Sequence, residues 1–400
     1  MIRVGVAIVG CGNVAPFYLK TLHLYPELQL MGVMDRDEKR SAKFSAYYSV
    51  AKYSSLDELL DDRGVELVIN LTNPRSHFSV SKACLEAGKH VYSEKPLAMS
   101  FSEAEQLVNL AEQKGLHISS APSRVLAETA QTMWKALREK VIGSVRLVYA
   151  EMDGGLIHRM RYKKWINELD IPWPYKDEFE VGCTIEHAGY VVTWLIAFFG
   201  PIETVTAFSS CQIPDKQTDI PLEVNAPDFS VACIKFVSGL VARLTCSFIA
   251  PSNHSLRIFG DEGILCTDDI WRPRCPVYIK RSIKIGRKTM MVPWKERYPL
   301  VGPPGALRAR ARSLIIRSPH ALFRALRARA RHLKKRVDFC LGPAELAAAI
   351  REQRPCRLSA RYCLHTNEVV LAIHNALETG SAYKVITYFD PIDPMPWAKP

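Results

Sequence analysis

The chain has 400 residues, of which 48% are hydrophobic and 24% are charged, which describes a soluble globular protein of about two domains. Its longest apolar run, residues 188–202, is too short to span a bilayer, and the run at residues 4–9 is too short for a signal peptide. The 11 cysteines are scattered without a CxxC pair, which favours reduced thiols and a cytoplasmic location.

The net charge of +12 arises in one segment of the chain. Between Arg297 and Val337 there are 12 lysines and arginines and no acidic residue. Removing these 12 from the total of 53 leaves 41 bases against 41 acids in the rest of the chain. The basicity is therefore local, and it says nothing about the surface elsewhere.

The first predicted unit is a strand over residues 2–9, followed by a GxGxxA motif at Gly10, Gly12 and Ala15. The strand is apolar and rich in β-branched residues, as in the central strand of a parallel sheet. The first glycine permits a tight turn, the second allows a pyrophosphate to approach the backbone, and the small third residue lets helix pack on strand. The pattern is typical of a dinucleotide-binding site.

A second predicted strand, over residues 28–35, ends in Asp35, at the distance where a ribose-binding carboxylate is expected. Asp35 would bind the adenosine ribose hydroxyls and repel a 2′-phosphate, which favours NAD. Arg36 and Arg40 follow, and a nearby arginine can accommodate that phosphate, so NADP is the alternative cofactor. Asp35 could instead be an ordinary helix N-cap ahead of Asp37.

Strands and helices continue to alternate up to residue 120. The predicted elements are strands over residues 65–71, 88–92 and 116–120, a short helix opened by Ser55 with Glu58, and a helix opened by Ser102 with Glu105. This alternation predicts an α/β fold whose first part, residues 1–121, is a doubly wound Rossmann domain.

A different pattern follows. A helix is predicted over residues 124–140, a loop over 171–180, and hairpin strands over 228–237 and 240–249 that meet at Ser238-Gly239. Hairpins indicate an antiparallel sheet with one face covered by helices. Residues 122–400 are therefore predicted to form an α+β domain, for substrate binding and oligomerisation, with a large and mostly antiparallel sheet.

Four motifs in the first hundred residues carry a family resemblance. They are GxGxxA, the run Asn70-Leu-Thr-Asn-Pro74 with His77 three residues later, the run Ala87-Gly-Lys-His-Val91, and Glu94-Lys95-Pro96. In this order and spacing the chain resembles the Gfo/Idh/MocA family, that is, the glucose-fructose oxidoreductase, inositol dehydrogenase and rhizopine-catabolism proteins. The resemblance continues more loosely to about residue 387. It implies an NAD(P)-dependent oxidoreductase.

The resemblance also implies roles for particular residues. Lys95, just past the carboxyl end of a predicted buried strand, would lie beside the nicotinamide and the reacting oxygen. The Lys95-Pro96 dipeptide by itself is also typical of a surface turn, which is the alternative. The residues assigned to cofactor binding are Gly10, Gly12, Asn13, Val14, Asp35, Arg36, Thr72, Asn73, Pro74, His77, Glu94, Lys95 and Pro96.

A predicted helix over residues 181–200 carries the acid-base candidates Glu186, His187 and Tyr190. Glu186 and Tyr190 are four residues apart and share one face, to which His187 is adjacent. The family pattern is GxxxDxGxH, with the Asp and His facing the nicotinamide. Here Glu186 replaces the Asp, Ala188 the Gly and Tyr190 the His. Some members similar to glucose-fructose oxidoreductase also have this tyrosine, but glutamate for aspartate departs from the standard geometry.

Hydride transfer at a carbon bearing oxygen requires a proton to leave or reach that oxygen. Tyr190 could move this proton if the Lys95 ammonium lowers the pKa of its phenol. Glu186 could orient Lys95, and His187 could relay the proton. Each residue also has a purely structural alternative. Tyr190 could be a core aromatic with a hydrogen-bonded hydroxyl, Glu186 a partner for a structural cation, and His187 a buried histidine with both nitrogens hydrogen-bonded.

We therefore expect a dehydrogenase or reductase acting on a secondary alcohol or ketone of a sugar, cyclitol or sugar derivative, including a nucleotide-activated one. A homo-oligomer, dimer or tetramer, is expected, and no metal site. The alternatives are a reductase of a non-sugar carbonyl or imine, and a catalytically silent NAD(P)-binding sensor or scaffold.

The basic segment, residues 303–337, predicts two amphipathic helices inserted into the second domain. One alternative is a solvated or subunit-packing elaboration. Another is peripheral contact of residues 306–336 with an anionic membrane, where apolar side chains sink into the headgroup boundary and arginines are attracted to the surface. Nucleic acid is the least favoured partner, because an apolar stripe has no use on a polar duplex.

Overall fold

A computed structural model describes residues 3–285, 287–292, 294–303, 337–376 and 381–399. Almost all of the predicted basic insertion over residues 303–337 lies outside these ranges. Its two helices therefore stay a prediction from the sequence.

The first sheet contains five parallel strands in the order β2-β1-β3-β4-β5. Their bounds are β1 Val4–Val9, β2 Leu28–Met34, β3 Leu67–Asn70, β4 His90–Ser93 and β5 Ile118–Ser120. β1 and β3 are buried along their whole length, as in a sheet covered by helices on both faces. The predicted Rossmann sheet is confirmed.

Five helices belong to this part of the chain: α1 Ala15–Leu22, α2 Glu38–Tyr48, α3 Leu56–Asp61, α4 His77–Glu86 and α5 Phe101–Gln113. Ser55 caps α3 by accepting a hydrogen bond from the backbone of Glu58, as predicted. The predicted cap of α5 at Ser102 is wrong, because Ser100 accepts the capping bond from the backbone of Glu103. Phe101 packs against the core, which brings it into the first turn.

The second sheet has ten strands in the order β13-β12-β11-β10-β6-β9-β8-β7-β15, with β14 beside β12. Their bounds are β6 Val145–Asp153, β7 Ile202–Ser210, β8 Phe229–Phe236, β9 Val241–Ser247, β10 Leu256–Gly260, β11 Gly263–Thr267, β12 Val277–Ile285, β13 Lys288–Met291, β14 Glu296–Tyr298 and β15 Tyr383–Lys384. β6 and β9 are parallel, and the other pairs are antiparallel. The predicted mostly antiparallel sheet is confirmed.

The helices that connect the two sheets differ from prediction at their starts. The predicted helix over residues 124–140 is broken, because Arg124–Leu126 form a 3-10 turn, Ala127 is extended, and α6 runs over Glu128–Arg138. The loop predicted over residues 171–180 is helical from Tyr175 onward, since α7 runs over Tyr175–Phe199. The helix predicted over residues 181–200 thus begins six residues earlier, directly after Pro174.

At Gly182 the backbone of α7 leaves helical geometry, with φ 82° and ψ 163°. A Cβ at this position would lie 2.8 Å from the carbonyl oxygen of Pro227, so only glycine fits. In the described part of the chain, α7 alone is long and apolar enough to cross a membrane, but 72% of its apolar window is buried inside the protein. We therefore assign α7 as the core helix of the second sheet.

Two further helices, α8 Leu341–Glu352 and α9 Ala360–His374, join the halves of the molecule. α8 contacts β4 and β5, whereas α9 packs against α5, α7 and β7. Residues of the predicted second domain thus pack on the first sheet, and the division at residue 121 stays a prediction. This packing brings α7 against the carboxyl end of the first sheet, where the candidate site lies.

Candidate active site

The glycine turn after β1 has the shape that its sequence predicts. Gly10 has φ +101°, and a Cβ there would lie 2.6 Å from the carbonyl oxygen of Leu71. A Cβ on Gly12 would meet nothing within 4 Å, so the backbone faces open space there. Val14, the N-cap of α1, makes no side-chain capping bond. Pro16 has no N–H and the Phe17 N–H donates to the carbonyl of Val14 at 2.9 Å, which leaves the Ala15 N–H at the start of α1 to bind an anion such as a pyrophosphate.

Asp35 lies beside this turn and is 9% exposed. Its carboxylate accepts hydrogen bonds from the backbone N–H of Cys11 at 2.8 Å and of Asp37 at 2.9 Å. The N-cap of α2 is Asp37, so the alternative role of Asp35 as the cap is wrong. Arg40 lies 3.5 Å from the Asp35 carboxylate, and Arg36 is exposed. Asp35 is thus held at the site of a ribose, with an arginine close by.

Asn13 and the loop after β3 are mainly occupied by internal bonds. The amide of Asn13 donates to the carbonyl of Ile171 at 3.1 Å. Asn73 caps the turn that begins at Pro74 by accepting from the backbone of Ser76. The Thr72 hydroxyl donates to Asn70 at 2.7 Å. These bonds fix the loop shape, so any cofactor contacts here would come largely from the backbone.

His77 is fully buried and holds two loops together. Its Nδ1 lies 2.7 Å from the carbonyl oxygen of Pro96, and its Nε2 lies 3.0 Å from that of Thr72. Burial lowers the pKa of His77 although both carbonyls oppose this, so the ring is neutral and donates to one of them. Both ring nitrogens face the protein, and His77 therefore positions the Thr72 loop and the Pro96 turn.

Lys95 follows β4 directly, at the carboxyl end of the sheet. Its neighbour Glu94 accepts from the hydroxyl of Tyr18 at 2.7 Å and from the Lys95 backbone at 3.0 Å. The Lys95 side chain is 19% exposed, and its ammonium donates to the Glu186 carboxylate, whose side chain is 5% exposed. Lys95 is thus a mostly buried cation fixed by a carboxylate from α7.

A second carboxyl group completes this cluster. Glu178, one helical turn before the break in α7, is hydrogen-bonded to Glu186 and accepts from Trp173. Burial, together with the charge of Glu186, raises the pKa of Glu178 well above its usual range. Burial opposes ionisation of Glu186, but the Lys95 ammonium outweighs it and lowers the pKa of Glu186.

Burial also opposes the charge of Lys95, yet Glu186 raises the pKa of Lys95 above its usual range. At neutral pH the cluster therefore consists of a protonated lysine, an ionised Glu186 and a protonated Glu178 that donates to it. A proton held between two carboxyl groups beside a cation is suited to acid-base chemistry.

Tyr190 lies one turn beyond Glu186, with its ring 4.6 Å from that of Trp271. Burial raises the pKa of Tyr190, although Lys95 and Arg124 act in the opposite direction. Lys95 acts on this pKa in the expected direction, but the net shift is upward, because burial disfavours the phenolate more strongly than Lys95 favours it. Tyr190 is a neutral phenol that can donate a proton.

His187 lies on the adjoining face of α7, between the rings of Phe248 at 5.1 Å and Trp271 at 5.8 Å. Burial lowers the pKa of His187 to about 3 despite the attraction of Glu186. Its Nδ1 is buried and has no hydrogen-bond partner among the described residues. The imidazole is therefore neutral and a poor proton acceptor at neutral pH, and its Nδ1 can accept or donate a hydrogen bond.

The structure brings Lys95, Glu186 and Tyr190 together and adds residues that sequence reasoning missed. Glu178 and Trp173 fall in the segment predicted to be a loop, and Arg124 and Trp271 are remote in sequence. The spacing of Glu178 and Glu186 gave no signal either, because the helical geometry is broken at Gly182 between them. Arg124 and Trp271 carried no local signal.

Beside Lys95 a small cavity of about 30 Å³ lies between the end of β5, α7 and α9. Pro122, Gly189 and Asn367 are among its lining residues. The Asn367 amide nitrogen is buried without a partner among the described residues. A cavity of this size can hold water but not a sugar.

The residues present fit a dinucleotide. An open glycine turn, an uncapped helix start and a buried carboxylate lie along the carboxyl edge of the first sheet, and Lys95 lies further along it. When bound, NAD(H) supplies or accepts a hydride. In the described part of the chain no group of His, Cys, Asp and Glu residues could hold a metal ion.

Comparison with known proteins agrees with this geometry. The profile described as an oxidoreductase family with an NAD-binding Rossmann fold matches residues 4–121. The profile of the GFO/IDH/MocA C-terminal domain matches residues 130–266. Trans-1,2-dihydrobenzene-1,2-diol dehydrogenase of Bos taurus is 24% identical over 272 residues, which cover 66% of this chain and 75% of that one.

Solved structures share the fold over nearly the whole chain. A putative NADPH-dependent oxidoreductase from Desulfitobacterium hafniense has a TM-score of 0.72 at 18% identity, covering 96% of this chain and 98% of that one. The WlbA dehydrogenase from Bordetella pertussis, solved with NADH and UDP-GlcNAcA, has a TM-score of 0.67 at 16% identity, covering 96% and 98%. Because the two profiles together span well over half of the chain, the protein belongs to the Gfo/Idh/MocA family of NAD-binding oxidoreductases.

Proposed function

We propose that the protein transfers a hydride between NAD(H) and a secondary alcohol or ketone of a sugar, a cyclitol or a sugar derivative. The observation that carries this proposal is the Lys95 ammonium, held by Glu186 at the carboxyl end of the cofactor-binding sheet. A fixed cation there stabilises negative charge on a reacting oxygen. The same position suits the carbonyl of a ketone and the hydroxyl of an alcohol.

In this proposal Lys95 binds and orients the reacting oxygen, and Tyr190 exchanges a proton with it. Reduction of a ketone needs a donor, which the neutral Tyr190 phenol supplies. Glu186 fixes the lysine, and the protonated Glu178 is a reserve proton behind it. His187, on the same helix, is a neutral imidazole that can hydrogen-bond to a bound group.

Two related proteins support an oxygen-bearing substrate. The bovine relative is named for a vicinal diol, and the Bordetella pertussis structure contains NADH with UDP-GlcNAcA. A non-sugar alcohol or carbonyl is the second candidate, and the aromatic rings of Trp271 and Phe248 around His187 favour it, because they would pack against an apolar ring.

We further propose NAD as the preferred cofactor, because the buried Asp35 carboxylate would repel a 2′-phosphate. Arg40 supports the alternative, NADP, since its guanidinium lies 3.5 Å from that carboxylate. We also propose a cytoplasmic homo-oligomer formed through the second sheet. Phe208 and Val241, which lie on one face of the sheet and are exposed by 52% and 43%, support an interface on this sheet.

Turnover tests the proposal and separates it from a catalytically silent sensor. The purified protein is incubated with NAD or NADH and a panel of sugars, cyclitols, their ketones and non-sugar diols, and NADH absorbance is followed. We expect turnover with at least one oxygen-bearing compound, and a loss of about 10²-fold in Lys95→Met. Cofactor binding without turnover of any compound would instead favour the sensor.

A further inference from the structure

Arg124 is a buried cation at the mouth of the candidate site. It begins the 3-10 turn Arg124–Leu126 that follows β5, and it is 7% exposed. Its guanidinium carbon lies 5.3 Å from the ring centroid of Tyr190 and 4.7 Å from that of Trp271. The cation is therefore held against the proposed proton donor and the adjoining aromatic wall.

No acidic residue in the described ranges pairs with Arg124. Asp269, the nearest acid on the Trp271 loop, pairs with Arg272 at 2.9 Å and with His254 at 3.5 Å. Glu94 is taken by Tyr18 and by the backbone that follows it. The Nη1 of Arg124 is buried and has no hydrogen-bond partner among the described residues. Burial accordingly lowers the pKa of Arg124, although Tyr190 and Asp269 oppose this.

Stacking on aromatic rings does not account for the missing partner. Rings attract the cation but accept no ordinary N–H bond. Two other arginines in the described ranges lie over rings, and both also have an oxygen partner. Arg138, over Trp134, donates to the carbonyl of Ala398, and Arg243, over Tyr149, pairs with Glu151, although the Nε of each is also buried without a partner in the described ranges. Arg124 differs from both because no oxygen among the described residues accepts a hydrogen bond from any part of its guanidinium.

We propose that Arg124 is the anion subsite for the substrate, and that the substrate carries a carboxylate or phosphate beside the reacting carbon skeleton. The planar fork of donors in a guanidinium matches either group bidentately. This inference rests on the proposed function, because it assigns the substrate class of that same site. It makes the substrate a hydroxy or keto acid, a sugar acid or a sugar phosphate.

The cofactor pyrophosphate is not the anion in question. Its proposed site lies after β1, whereas Arg124 follows β5, and β3 and β4 lie between them in the sheet. Three strand spacings separate the two ends by about 14 Å. Arg124 also contacts Trp271, which belongs to the second half of the molecule. The anion that reaches Arg124 therefore comes from the substrate.

Matched ligands test the subsite without knowledge of the natural substrate. The full-length protein, loaded with NADH, is titrated calorimetrically with D-glucuronate, D-glucose carrying a terminal phosphate, and D-glucose, and then with the same series on galactose. These compounds differ only at the terminal carbon. We expect at least one anionic member to bind about tenfold or more tightly than its neutral counterpart. The member that binds best shows whether carboxylate or phosphate is preferred.

The discrimination should depend on Arg124 specifically. Arg124→Gln should reduce the difference in affinity between anionic and neutral ligands to within about twofold. Arg124→Lys should keep part of this difference, because it keeps the positive charge. Arg138→Gln is the matched control, since it also removes a ring-stacked arginine, and it should retain full discrimination. The NADH dissociation constant should stay within about twofold in all variants, which also shows that they are folded.

The outcomes for the subsite and for the enzyme are separable. Equal binding of anionic and neutral members by the unmutated protein, including no binding of either, would overturn the subsite. Unchanged discrimination in Arg124→Gln would do the same. Absence of turnover with every compound would count against the proposed reaction alone, because binding discrimination is measured independently of it.

Discussion

The pair formed by Lys95 and Glu186 should contribute to stability as well as to chemistry, and a double-mutant cycle can measure this. Lys95→Met removes the cation while keeping the length of the side chain. Glu186→Gln removes the anion while keeping its shape. In either single variant a buried charge loses its partner, because these side chains are only 19% and 5% exposed.

Removing one partner of a buried pair costs about 3–5 kcal/mol of unfolding free energy. We expect about 3 kcal/mol for each single variant, at the lower end of that range, because Lys95 retains some contact with solvent. The double variant leaves neither charge uncompensated, so it should cost less than the sum by about 1–3 kcal/mol.

Urea unfolding followed by tryptophan fluorescence at neutral pH gives the four free energies. The coupling should decline in acid. A carboxyl with a lowered pKa, such as Glu186, contributes stability above its unfolded pKa of about 4.3 and loses it as the pH falls through the folded value. The exposed pair Arg146 and Asp261, with side chains 66% and 48% exposed, is the control and should show no measurable coupling. If the effects of Lys95→Met and Glu186→Gln on the free energy of unfolding are additive, the two side chains are not energetically coupled and the reasoning is refuted.

Three other predictions concern cofactor, proton and insertion. In a fluorescence titration NAD(H) should bind more tightly than NADP(H), and Asp35→Ala should reduce the difference between the two dissociation constants. Tighter binding of NADP(H) by the unmutated protein would contradict this. Tyr190→Phe should lower kcat about 10²-fold with NADH binding unchanged. The rate of alcohol oxidation by the unmutated protein should rise as the pH approaches the raised pKa of Tyr190. A kcat of Tyr190→Phe within a few-fold of that of the unmutated protein would assign the proton transfer to His187 or Glu186. Deleting residues 306–336 should abolish sedimentation with anionic liposomes at low salt and spare NADH oxidation; no sedimentation of the intact protein would favour subunit packing.

The first sheet was predictable because each of its signals is local. A buried strand, a glycine turn and a capped helix are each written in a few consecutive residues, and alternation fixes their parallel order. Helical spacing likewise placed Glu186 and Tyr190 on one face. Lys95 was placed at the carboxyl end of its strand for the same reason.

The remaining features of the site depend on contacts between distant segments. Glu178 lies before the break that Gly182 makes in α7 where it packs on Pro227, in a segment that the sequence predicted to be a loop. Arg124 and Trp271 meet across the two halves of the molecule, and no short motif connects them. The pKa of Tyr190 follows from burial, which is a property of the packed structure.

Hydride transfer that depends on Lys95 is the central claim, and one assay addresses it. NADH absorbance is followed after mixing the unmutated protein and Lys95→Met with the panel of hydroxyl and carbonyl compounds, with NADH binding measured in parallel. We expect turnover by the unmutated protein, and a turnover rate lower by about 10²-fold or more in Lys95→Met, with the affinity for NADH unchanged. Turnover by Lys95→Met within a few-fold of the unmutated protein would contradict it.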